Sequence, residues 1–141
     1  MFGYAQFHYY KSGTGSGGCC NVTHVPNLPE ILGGDGGYRL DAEVQARYAA
    51  WLADHPYEMG TGWAQEPWFQ PEMPLDEEFV RAAAQRADTA FIVIGRTAGE
   101  DQDNTNTPGS FLLTEDEENM LALVCRYFNK SVVPSQCRQH H

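Results

Sequence analysis

The chain has 141 residues, 9 Lys and Arg against 19 Asp and Glu, and a formal net charge of -10, a length that suits one domain with a real core. That balance excludes an electrostatic grip on nucleic acid or anionic lipid, since both need clustered basic residues. No apolar stretch approaches the roughly 20 residues of a membrane span. The start, Met1 to Gln6, lacks the basic and apolar regions of a secretory leader, so a cytoplasmic place is expected. Cys19, Cys20, Cys125 and Cys137 form no C-x-x-C pair and no zinc-finger spacing, which predicts reduced thiols.

Residues 2 to 10 alternate aromatic and small groups, which predicts a half-buried strand. It runs into the glycine-rich stretch 12–18, where Gly13, Gly15 and Gly18 make a formal dinucleotide fingerprint. Pro26 and Pro29 interrupt the helix that should follow at once and hold a pyrophosphate. The loop can therefore be a structural turn, the border of a sugar site, or a nucleotide cradle.

From Asp41 to Asp54, Val44, Tyr48, Trp51 and Leu52 recur at helical spacing, and Pro56 closes the segment. A long ordered loop rich in Gly, Trp and Pro follows to Pro74; Trp63 and Trp68 in it can stack on a sugar or anchor the loop to the core. A helix is predicted over Asp76 to Ala87 with Phe79, Val80 and Ala83 inward, then a doubly buried strand from Ala90 to Ile94. Thr114 and Glu117 form a capping box before a stripe of Met120, Leu121, Val124, Tyr127 and Phe128; Ser131, Val132 and Val133 begin another buried strand. The second half thus alternates helix and strand, as a mostly parallel sheet with packed helices requires, an α/β sandwich.

Chemistry concentrates after the strand at 90–94. In an open parallel sheet, ligands collect at the carboxyl ends of strands, and residues 96–104, "RTAGEDQDN", stand at such an end. Glu100 follows Gly99 and has Asp101 and Asp103 beside it, whose negative fields raise a carboxyl pKa. A carboxylic acid kept protonated near neutral pH can protonate a departing sugar oxygen; the alternative is a solvated acidic loop. Asp101, Asp103 and Thr105 also match the first three ligand positions of a calcium loop, but Asn106 and Leu112 fill the places that need Gly and Glu. No metal or cofactor is called for.

Together "FHYYKSGTGSGG", "GTGWAQEPWFQPEMPL", "ADTAFIVIGRTAGEDQDN", "GSFLLTEDEENML" and "NKSVV" resemble, in order from Phe2 to Val133, the second domain of glycoside hydrolase family 3, in its β-glucosidase-like branch. The resemblance implies an incomplete α/β sandwich over residues 1–133, part of a retaining glycosidase of carbohydrate substrates whose nucleophilic Asp sits on a barrel domain absent from this chain. It implies Glu100 as general acid/base, Asp103 as an orienting residue of its loop, and Lys11, Ser12 and Gly13 at the border of the sugar pocket. Asp101 and Asn104 depart from the family's Gly and Arg, and Asp101 receives no role.

Residues 134–141 depart more sharply, with Pro134 to His141 where the family continues a hydrophobic strand. Codons permitted for those eight residues, read one base forward, encode Leu-Leu-Asn-Val-Gly-Asn-Ile-Ile. A shifted frame and a disordered tail from Pro134 are the resulting expectation, with Pro134 ending the sheet.

Overall fold

A computed structural model describes residues 1–7, 26–34, 37–62, 65–97 and 103–136, with Ser135 and Gln136 as backbone alone. After a short 3₁₀ helix at Tyr4–Phe7 come α1 (Leu28–Gly33), α2 (Ala42–Asp54), α3 (Glu77–Arg86), β1 (Thr89–Phe91), β2 (Ile94–Gly95), α4 (Glu115–Tyr127), β3 (Lys130–Val132) and β4 (Ser135–Gln136). β1 pairs with β3 and β2 with β4, both in parallel. The predicted α/β class with a parallel sheet is therefore present.

The three longer helices begin where their caps stand. Asp41, Asp76 and Thr114 each turn a side-chain oxygen onto the amide three residues ahead, at Val44, Phe79 and Glu117, satisfying donors that the first turn leaves open. The two aspartate caps also tie α2 to α3 reciprocally: Arg86 of α3 binds Asp41 at 2.7 Å, and Arg47 of α2 binds Asp76 at 2.8 Å. The inward residues Val44, Tyr48, Val80, Ala83, Met120 and Val124 meet in one core with Ala90 and Ile92 of the β1–β2 segment. Burying each of Val44, Val80, Ile92, Met120 and Val124 contributes about 1.5–3 kcal/mol, less the cost of ordering it. Trp51, Leu52, Phe79, Leu121 and Tyr127 lie partly buried at its margin.

The N-terminal strand is much shorter than expected. Phe2 bridges Ile92 in parallel, donating to the Phe91 carbonyl at 2.8 Å and accepting from Val93 at 2.9 Å, and then the chain coils. Gly3 has φ +103, and a Cβ there would lie 2.0 Å from the Val93 carbonyl oxygen. Close backbone approach thus decides the turn, which Gln6 seals by donating its buried amide to the Gly3 carbonyl at 2.8 Å. The alternation at 2–7 reflects burial of nearly every residue, so it carries no two-residue period. Residues 8–10 lie outside the described residues.

Two further differences concern the other end. Among the described residues β3 pairs with β1 alone, and Val132 and the following Val133 are 39% and 44% exposed, where a buried strand was expected. Pairing also continues past Pro134, since Ser135 and Gln136 meet Ile94 and Gly95. Proline lacks an amide hydrogen, and Pro134 falls in the gap between the two ladders, where that lack breaks no rung. Residues 137–141 lie outside the described residues. Pro29 stands in the first turn of α1, where proline is tolerated, and Asn27 and Glu30 form a capping box around it. α1 was not anticipated. Cys125 is exposed and free; Cys19, Cys20 and Cys137 lie outside the described residues.

Candidate active site

β2 ends at Gly95, and the chain leaves the sheet through Arg96 and Thr97. Residues 98–102 lie outside the described residues, with Glu100 and Asp101 among them, and the chain is described again from Asp103. The expected glycine-loop residues Lys11, Ser12 and Gly13 also lie outside the described residues, as does Trp63. Of the expected site residues the structure places Asp103, which is exposed.

The described chain on either side of residues 98–102 is dense with hydrogen bonds. Arg96 is 6% exposed at its side chain and uses all five guanidinium hydrogens. Nη1 and Nη2 donate to the two carboxylate oxygens of Glu117, each at 2.6 Å, in a bidentate pair. Nη1 also donates to the Gly95 carbonyl at 2.9 Å, Nη2 to that of Leu112 at 3.2 Å, and Nε to that of Ser110 at 2.8 Å. The same Glu117 accepts the Thr114 amide at 2.8 Å as the far half of the capping box. One carboxylate therefore starts α4 and neutralises the arginine at the end of β2.

Residues 105–112 form a compact turn. The Phe111 amide donates to the Thr105 carbonyl at 3.1 Å and the Gly109 amide to that of Leu112 at 2.8 Å. Gly109 has φ +83, and a Cβ there would lie 2.2 Å from the Phe69 ring, so glycine is what lets the turn rest on that ring. Ser110 is 2% exposed, and its hydroxyl accepts the Thr105 amide at 2.9 Å.

The described parts of the aromatic loop, 56–62 and 65–70, border the same turn. The Thr97 amide donates to the Trp68 carbonyl at 2.8 Å. Burial, with the charge of Glu66 adding to it, pushes the Tyr57 hydroxyl up, while a hydrogen bond with the Thr97 side chain opposes the shift. Gln70, buried, closes the loop on itself by exchanging two hydrogen bonds of 2.9 Å with the backbone of Glu58. Trp68 is partly buried, and its indole Nε1 has no partner among the described residues. Among those residues no group of three His, Cys, Asp or Glu is arranged to hold a metal ion.

No family model matches the chain. Over 133 residues it is 48% identical to a β-glucosidase of Ruminococcus albus, covering 94% of this chain and 14% of that protein. A solved β-glucosidase from Paenibacillus barengoltzii superposes with a TM-score of 0.89 at 44% identity, over 95% of this chain and 14% of its own. β-Glucosidase 3B of Thermotoga neapolitana, solved in complex with glucose, gives 0.78 at 26% identity, over 95% of this chain and 19% of its own. The chain is a segment of a β-glucosidase-like protein. As such it spans about one seventh to one fifth of the length of these relatives.

For a β-glucosidase-like segment, sequence reasoning found the acidic stretch but missed what frames it. Arg96 and Glu117 are 21 residues apart, and neither has a spacing that announces the other. Gly109 and Ser110 open the stretch "GSFLLTEDEENML" that carries part of the resemblance, but the stretch assigns neither of them a contact. The capping box at Thr114 was the one available signal, since it marks Glu117 as a residue with a fixed direction.

Proposed function

We propose that this segment supplies the general acid/base to a retaining β-glucosidase of glycoside hydrolase family 3 acting on terminal β-linked sugars, with Glu100 in that role. The nucleophilic carboxylate comes from a barrel domain outside this chain. In the first step a carboxylate attacks the anomeric carbon while Glu100 gives its proton to the departing oxygen; in the second Glu100 takes a proton from the water that attacks the glycosyl-enzyme. Asp103 orients the acidic segment, and Lys11, Ser12 and Gly13 border the sugar. The chain alone, without the nucleophile, is inactive.

The observation that supports this reading is the commitment of Arg96. It is the basic residue nearest to Glu100 in the sequence, and its five donors are occupied by Glu117 and three carbonyls. A carboxyl that must cycle between protonated and ionised forms is best left without a bound arginine, which would hold it ionised. The position after a parallel strand agrees with the same role.

The test replaces the matching segment of the Ruminococcus albus β-glucosidase with this chain. In that chimaera Glu100→Ala lowers kcat/KM by about a thousandfold for phenyl β-glucoside, whose leaving group needs a proton. Dinitrophenyl β-glucoside, whose leaving group departs as the anion, loses far less, and azide restores turnover. Equal loss on both substrates removes Glu100 from the role.

A further inference from the structure

The two ends of the aromatic loop, at His55 and Pro71, are held by the same two side chains. At its start, the Tyr4 hydroxyl donates to the His55 carbonyl at 2.8 Å, and the His55 amide donates to the Trp51 carbonyl at 2.8 Å. At its end, Trp51 Nε1 donates to the Pro71 carbonyl at 3.1 Å, and the Tyr4 amide donates to Glu72 Oε2 at 2.7 Å. Tyr4 and Trp51 therefore close the neck of the loop. Glu72 anchors that closure: it is 6% exposed, and its Oε1 accepts the Met73 amide at 2.9 Å and the Tyr48 hydroxyl at 3.1 Å.

Among the described residues the partners of Glu72 are these three neutral donors, and no cation pairs with it. The titratable and charged groups that face it are Tyr4 of the 3₁₀ helix, Tyr48 of α2, on which the charge of Arg47 also acts, and Glu117 of α4, itself matched by Arg96. His55, stacked on Trp51 at 3.6 Å, is a further titratable group at the neck. A buried carboxylate with no cation on it is costly even when neutral donors surround it. Once the group ionises, an opening that lets water reach it becomes easier.

We infer that Glu72 is a proton-sensitive latch on the aromatic loop: neutral, it holds the neck closed, and ionised, it lets Tyr4, Met73 and the loop behind them open locally. The loop carries the Trp68 carbonyl that holds the Thr97 amide at 2.8 Å where the chain leaves β2, so the latch reaches the edge of the candidate site. The latch is independent of the role proposed for Glu100. Burial sets its direction, pushing the carboxyl up to about 7 against the three donors, with Glu117 adding to the rise; in the opened neck the group returns to its ordinary 4.5. Opening releases a proton between these values, so the latch loosens as pH rises through them and is loosest above about 7.

Hydrogen exchange of the dilute chain, corrected for its intrinsic rise with pH, tests the latch. From about pH 4.5 to about pH 8, protection of the Tyr4, Met73, Glu58 and Thr97 amides is expected to fall on the order of a hundredfold. It should stay below that of the Ile92 amide, which donates to Val132 within the sheet. Glu72→Gln keeps an acceptor and should abolish the fall, whereas His55→Gln should keep it. Four outcomes overturn the inference: protection flat with pH, protection equal to that of Ile92 throughout, a fall at Tyr4 and Met73 that Glu58 and Thr97 do not share, or a fall that survives Glu72→Gln or vanishes in His55→Gln. Should Glu72→Gln fail to fold, carbon NMR of the Glu72 carboxyl in the unaltered chain decides. A midpoint at about 7 supports the latch, and one at 4.5 overturns it.

Discussion

The hydroxyl of Tyr48 donates to Glu72 Oε1 at 3.1 Å and accepts the Gly3 amide at 2.8 Å, so a buried acid, a phenol and the N-terminal turn share one chain of hydrogen bonds. The other carboxylate oxygen, Oε2, accepts the Tyr4 amide at 2.7 Å, and Oε1 also accepts that of Met73 at 2.9 Å. Burial dominates nonetheless: it pushes the Glu72 carboxyl up to about 7, against the pull of these three donors and with a further upward push from Glu117. Protonated, Glu72 can donate to Tyr48, whose own hydrogen then has Met120 Sδ at 3.7 Å as an acceptor.

Stability should therefore fall as pH rises from about 4.5 to about 7. Below that window Glu72 is protonated folded or unfolded; within it the folded chain keeps a proton that the unfolded chain, near 4.5, has released. Above about 7 the contribution is gone. The swing is on the order of 3 kcal/mol. Asp41 and Asp76, whose carboxyls are lowered from 3.8, act below this window and with the opposite sign. Urea midpoints of the dilute chain across this range measure the slope, and Glu72→Gln should flatten it. A wild-type midpoint that rises between these limits contradicts the assignment.

Glu117 and Thr114 belong to one capping box, yet their losses should differ. Thr114→Ala removes a cap acceptor and should cost about 1 kcal/mol. Glu117→Gln keeps a cap-competent side chain but leaves Arg96 charged and buried at 6% exposure without its counter-ion, which should cost about 3 kcal/mol. Denaturant midpoints of the two variants rank them, and equal costs would mean that the ion pair adds nothing beyond the cap.

Gly109→Ala places a methyl in the Phe69 ring and strains a backbone at φ +83. Destabilisation of about 1–3 kcal/mol is expected. Hydrogen exchange should quicken at Thr105 and Phe111 before it does in α4, since the turn is what the methyl displaces. Unchanged exchange at those amides would show that the turn tolerates the group.

Val132, Val133, Leu112 and Phe111 are exposed, Phe111 at 71%, and β3 is a sheet edge among the described residues. Chains made alone should associate as concentration rises, and Val133→Lys should weaken that association. Sedimentation over a concentration series measures both.

We propose that residues 134–141 come from a shifted frame. Replacing them with Leu-Leu-Asn-Val-Gly-Asn-Ile-Ile should raise Tm by about 3 °C or more, by extending the pairing that β4 begins with apolar residues. An unchanged Tm, or coding DNA that does not contain that peptide one base forward, refutes the shift.

What the sequence determined by itself was local. Asp41, Asp76 and Thr114 mark the starts of α2, α3 and α4 because a cap and its amide are three residues apart, and apolar spacing within each helix names the inward face. The likeness to β-glucosidases was legible for a similar reason, as short motifs in order. The tertiary structure alone decided the coil at Tyr4–Phe7, set by a carbonyl 90 residues away in the sequence against Gly3. It also decided the proton on Glu72 and the pairing of Arg96 with Glu117. Desolvation and charge pairing depend on which distant groups surround a side chain, and that neighbourhood exists only once the chain has packed.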